Sequence, residues 1–158
     1  MPNSIFLYDN FLTILVLQVV CCAFMTGLIW LVQLVHYPAF AYVIDDLFSE
    51  FHKMHSKKIS IIVMPVMLLE LITAIALVYL YPQSSLILTN TIILIFIWLS
   101  TFALSVPVHN ILSKDKNTNA IHRLIQTNWS RTALWTVRLF ILIYFITKHV
   151  ALNNSGIN

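Results

Sequence analysis

Four long apolar runs decide what this chain can fold into. They cover about Phe11 to His36, Ile59 to Tyr81, Ser85 to His109 and Trp129 to Leu152. Each meets or exceeds the ~20 residues that cross the hydrocarbon core of a bilayer. In lipid a backbone must satisfy its own hydrogen bonds, so runs of this length are predicted to be transmembrane helices. Composition agrees: 59% of the 158 residues are hydrophobic and 9% are charged, with a mean hydropathy of +0.86. Ordinary globular chains carry roughly 25% charged residues. So few charges cannot cover a water-soluble sphere, which also excludes disorder, a collagen-like or coiled-coil rod and a disulfide-stapled secreted module. The first run is too long for a cleaved signal peptide and has no basic segment before it, so it is expected to be a span. The expected fold is all-α, a single integral membrane four-helix bundle over residues 1–158, with no internal repeat.

The three connections differ in kind. Tyr81-Pro82-Gln83-Ser84 predicts a tight turn joining spans two and three as a hairpin. Between Tyr37 and Lys58, Ile44, Leu47, Phe48, Phe51 and His55 fall on one helical face, and Asp46, Glu50, Lys53 and Lys57 on another. That pattern predicts an amphipathic interfacial helix between spans one and two. Ser113 to Asn119 is a polar loop. Asn119 is expected to cap a short helix carrying Ile121, Leu124 and Ile125, running with or without a break into span four.

Lys and Arg distribution predicts orientation. Lys53, Lys57, Lys58, Lys114, Lys116, Arg123 and Arg131 belong to one side, and only Lys148 to the other. The positive-inside rule then places both longer connections in the cytoplasm and both termini outside, in the cell inner membrane. A formal charge of +3 gives no reason to expect nucleic acid; membrane lipid is the partner the composition suits. Cys21 and Cys22, adjacent in an apolar run, suit lipid-facing or packed thiols better than a disulfide.

Polar side chains within spans are costly and mark function or interhelical pairing. Glu70 lies about eleven residues, ~16 Å, into span two, and Arg138 about nine residues, ~13 Å, into span four from the same side, at 1.5 Å per residue. Matched depth predicts a buried Glu70–Arg138 ion pair, either structural or a proton-transfer element. Gln18 and Gln33 are candidates for hydrogen bonds between helices.

Histidine placement is the most informative signal. His36, His52, His55, His109 and His122 all fall at the side assigned to the cytoplasm, and only His149 lies opposite. His52 and His55 are three residues apart, a spacing at which two imidazoles can hold one metal ion. His36 and His109 sit beside Pro38 and Pro107, which end or bend their helices. The four are expected to share a metal site, with His122 as a fifth candidate. Interfacial anchoring is the plainer alternative. Imidazole suits iron, copper or zinc, and two histidines on opposed helices also suit haem. No HExxH, CxxC or Glu-x-x-His pair accompanies them.

Other polar residues recur by helix face: Met64, Met67, Glu70 and Thr73; Trp98, Thr101, Ser105 and His109; Asn128, Arg131 or Thr132, Trp135 and Arg138. They predict a cavity lined by Trp98 and Trp135 and open towards the charged side. Gln33, Trp98, Ser105, Asn128 and Trp135 are the expected substrate contacts, with Glu70, Arg131 and Arg138 as catalytic candidates.

The stretch Ser105-Val106-Pro107-Val108-His109-Asn110-Ile111-Leu112, followed by Asn128-Trp129-Ser130-Arg131-Thr132, resembles small four-helix membrane proteins grouped with anthrone oxygenases. The likeness covers the C-terminal third and the four-span topology. Gln33-x-x-His36-Tyr37-Pro38, His52-x-x-His55, Glu70 and Trp135-Thr136-x-Arg138 look more like a histidine-rich bacterial branch of that group. The resemblance implies oxygenation of a hydrophobic, aromatic substrate reached from the membrane. Two function classes follow. One is a metal-dependent membrane oxidoreductase or oxygenase acting on a lipophilic small molecule. The other is a non-enzymatic binding, transport or assembly subunit for a metal, haem or pigment.

Overall fold

In the computed structural model, which describes residues 2–155 and the side chains of 10–149, four segments are long and apolar enough to cross a membrane. They are Asn10–Tyr42, Asp45–Leu80, Ser85–Leu112 and Thr118–His149, here the first to fourth spans. Each packs on its neighbours in the chain, and the fourth closes the ring against the first. The protein is an all-α membrane-spanning four-helix bundle, with no strand among the described residues. Leu15, Met25, Met67, Leu94, Ile97 and Leu124 fill the interior, while Leu34, Ile61, Ile72, Phe96 and Phe140 point outwards. Helices apolar on every face suit a lipid surround. Cys21 and Cys22 are buried free thiols, packed rather than facing lipid.

The hairpin turn after Leu80 is as expected, and the Ser84 hydroxyl caps the third span by accepting from the Ile87 N–H at 3.4 Å. The amphipathic stretch, however, is not a separate interfacial helix. Val43 and Ile44 are extended, and one continuous helix runs from Asp45 to Leu80. The break falls there because Asp45 and Asp46 occupy the first turn, where carboxylates favour a helix start. Nothing between them and Pro65 interrupts it. Of the expected apolar stripe, Phe48 and His55 turn inwards with His52, while Ile44 and Leu47 stay exposed.

The fourth span also differs in its start. Asn117, not Asn119, is the cap: its side-chain oxygen accepts from the Ala120 N–H at 2.9 Å. From Thr118 the helix continues unbroken to Ser155. Lys116 Nζ reaches Asp45 Oδ1 at 2.8 Å and the Val43 carbonyl at 2.6 Å, which ties the two longer connections together at one end of the bundle.

Two spans carry a π-helical turn at that same end. Val32–His36 and Thr101–Ser105 are each closed by a bond spanning five residues, from the N–H of Tyr37 to the Val32 carbonyl and of Val106 to the Thr101 carbonyl. In both cases a proline, Pro38 or Pro107, follows two residues later. Proline has no N–H and its ring crowds the carbonyl four residues back, so the wider turn relieves a clash that a regular helix would carry.

Candidate functional site

The polar residues of the spans sort into a sealed layer and an accessible one. In the sealed layer, Arg138 Nη1 donates to Glu70 Oε1 at 2.7 Å, both side chains being fully buried. Trp135 Nε1 donates to Glu70 Oε2 at 3.2 Å. Arg138 Nε donates to Asn90 Oδ1 at 3.2 Å, and Asn90 Nδ2 returns a bond to the Arg138 carbonyl at 3.0 Å. Gln18 closes the set with its amide oxygen on Arg138 Nη2 at 2.7 Å and its nitrogen on the Glu70 carbonyl at 3.0 Å; the Thr73 hydroxyl lies against the same amide. All four spans contribute. The ion pair forms at the depth that residue counting indicates, and every oxygen of its carboxylate is satisfied. Such a network holds helices in one register.

Nearer the connections, Gln33 Nε2 donates to the Ile125 carbonyl at 3.2 Å, and its oxygen accepts from Asn128 Nδ2 at 2.8 Å. This pair locks the first span to the fourth. Arg131 is 6% exposed and donates from Nη1 to Ser105 Oγ at 2.8 Å. Its guanidinium lies 5.5 Å from the centre of the Trp135 ring.

The histidines appear as two pairs. His36 Nε2 lies 2.8 Å from His55 Nδ1, and His52 Nε2 lies 3.1 Å from His109 Nδ1. The Tyr37 hydroxyl reaches His109 Nε2 at 3.1 Å. Phe40 touches His36, His52 and His55 at ring separations of 5.6, 5.5 and 5.4 Å, so it sits between the pairs. The helical spacing of His52 and His55 delivers one imidazole to each pair. Among the described residues, no three or more His, Cys, Asp or Glu side chains are grouped as a metal ion needs. Within each pair the nitrogens are hydrogen-bond distance apart, a little short of the ~3.3 Å that separates ligand nitrogens at tetrahedral zinc. His122 is exposed and makes no ring contact or hydrogen bond with the other four among the described residues. His149 packs on Phe11 at the far end, with ring centres 5.1 Å apart.

A cavity of about 170 Å³ lies between the first three spans, with Arg131 of the fourth at its polar end. Of the expected substrate contacts only Ser105 lines it. Gln33 and Asn128 bond to each other away from the cavity. Trp135 is fully buried on Glu70, and Trp98 stacks outside the cavity on Phe102 at 5.5 Å. The wall is instead built from Met25, Ile29, Met64 and Met67, and its polar end from Tyr37, His55, Ser105, His109 and Arg131. Tyr37 has no site role in the sequence reading; one helical turn after Gln33, its inward phase is the signal that marks it. The two π turns flank the cavity, through Val32 of the first and Thr101 and Ser105 of the second. No family model, curated protein or solved structure matches this chain.

Proposed function

We propose that this protein is a membrane-embedded oxidoreductase that takes a lipophilic small molecule into the inter-helical cavity beside the histidine pairs. One observation carries the reading: His55 and His109, one imidazole from each pair, line the same cavity as Arg131. A buried apolar chamber with a few convergent polar groups is the usual form of a small-molecule site, and π turns recur at functional sites. The likeness of residues 105–112 and 128–132 to the anthrone-oxygenase group points the same way. A transition-metal ion shared by His36, His52, His55 and His109 would supply electron transfer or oxygen activation, and it would require the two pairs to close on one another past Phe40, which lies between them here. Arg131 and Ser105 then orient the substrate oxygen, and Tyr37, bonded to His109, holds a proton at the cavity wall. Glu70 and Arg138 neutralise one another away from the cavity, so their part is to fix the helices. The charge asymmetry places the connection end in the cytoplasm and both termini outside the inner membrane.

A second reading is a non-enzymatic binding or transport subunit. It is favoured by the imidazole–imidazole contacts, which pair the histidines with one another in place of an ion. Elemental analysis and an optical spectrum of protein purified without added metal separate the two. The oxidoreductase reading expects near-stoichiometric iron, copper or zinc, or a haem band. Most of that metal should be lost in His52→Ala and His55→Ala and kept in His122→Ala and His149→Ala. Metal should also leave on acidification, since only neutral imidazole ligates. A metal-free parent protein sinks the enzyme and leaves the binding subunit.

A further inference from the structure

The fourth span carries two buried arginines, and only one has a counter-charge. Arg138 meets Glu70 at 2.7 Å. Arg131, seven residues earlier, pairs with no carboxylate among the described residues. Its Nε is buried and has no hydrogen-bond partner, while Nη1 donates to the neutral Ser105 hydroxyl. A cation buried in a membrane protein without compensation is costly. Arg131 is also the residue at the polar end of the cavity. We infer that the cavity binds an amphiphilic anion, its anionic oxygen on Arg131 and its apolar body between the spans.

The remaining walls fit that ligand. A guanidinium offers parallel N–H donors that match a carboxylate or phosphate in two bonds at once. The Ser105 hydroxyl, which accepts from Arg131, keeps its own proton to donate at the same end, and no acidic side chain lines the cavity to repel an anion. At about 170 Å³ the chamber is near the size that admits a single benzene ring. It therefore takes the head and first carbons only, and the rest must leave through a mouth. Every exposed residue on the wall belongs to the second or third span: Ser60, Met64 and Val106. The mouth thus opens sideways between these spans. The Thr101–Ser105 π turn, followed by Pro107, departs from regular helix at this level. The entering molecule comes from the acyl region of the bilayer, not from water.

This inference rests on the cavity being a small-molecule site and is independent of any metal. The test uses the full chain in nanodiscs of zwitterionic lipid, titrated with decanoate or decanol while the thermal midpoint is followed. A ligand that binds only the folded state raises that midpoint with concentration. Decanoate should stabilise the parent saturably, decanol at least tenfold more weakly, and Arg131→Gln should lose at least tenfold in apparent affinity for decanoate. Arg131→Lys, which keeps the charge but not the fork, should fall between. The ligand-free Arg131→Gln protein should still unfold cooperatively with a midpoint near the parent's, because losing a charge without a counter-ion offsets losing the Ser105 bond and the Trp135 contact; this keeps loss of binding apart from loss of fold. Stabilisation by phosphatidylglycerol nanodiscs instead of decanoate, with the same Arg131 dependence, supports the site and assigns the anion to a phospholipid head. Equal binding of decanol, or undiminished binding by Arg131→Gln, overturns the inference. Metal assayed on the same samples separates the readings: a metal-free parent that binds decanoate through Arg131 ends the oxidoreductase reading alone.

Discussion

Arg131 and Arg138 share a face of one helix two turns apart, and their partners give them different work. Arg138, Glu70 and Asn90 bond to one another in a buried site, where an unpaired charge would be left without water. Glu70→Gln should therefore destabilise the bundle by roughly 3–5 kcal/mol, the usual loss when one partner of a buried pair is removed. Glu70→Gln combined with Arg138→Met should recover part of that loss. Denaturation in mixed micelles measures both, and simple additivity of the single changes would show that the two residues are not coupled. The pairing was legible in the sequence from depth alone. Trp135 as the second donor to Glu70, and Asn90 as the brace of Arg138, were not: their roles depend on rotation of each helix about its axis.

At the scale of elements, the two π turns shape the site. A π turn accommodates one residue more than a regular helix over the same length, which shifts the phase of whatever follows. In the third span this turn brings Ser105 and His109 onto the cavity wall while Phe102 points outwards at 59% exposure. Pro107→Ala, which restores the missing N–H and removes the ring clash, should let the span run as regular α-helix over the same residues. The expected outcome is unchanged helix content by circular dichroism with loss of decanoate-induced stabilisation, since Ser105 then turns by about 100° and no longer meets Arg131 in the same phase. Retained stabilisation would mean that the turn is incidental to the cavity. The prolines flagged these places, since Pro38 and Pro107 have to disturb their helices. That the disturbance is a widened turn and not a kink or an end was decided by the backbone.

For the whole molecule, the orientation proposed from charge is open to a direct check. Cys21 and Cys22 are buried, so a new surface cysteine can be labelled against a low background. Asp115→Cys, exposed on the polar loop, should resist a membrane-impermeant maleimide in intact spheroplasts, whereas Gln83→Cys, exposed on the opposite turn, should react. The reverse pattern inverts the molecule. The Lys116–Asp45 contact ties both longer connections to one end, so one result fixes both.

Four spans, their order and the tight turn at Tyr81 were determined by the sequence alone, because lipid leaves a long apolar run no structure but a self-bonded helix. The same rule is silent on which face of each helix meets which. Four histidines at one end were visible as a set, yet whether they form one group or two pairs depends on the helix that begins at Asp45 and on Phe40 between the rings. The extent of that helix was missed because an amphipathic stretch and an apolar one, read separately, give no sign that the backbone between them is continuous. The difference between Arg131 and Arg138 is likewise tertiary: the chain supplies two cations on one stripe and one acid at matching depth. Only packing settles which cation the acid reaches and which is left facing a cavity.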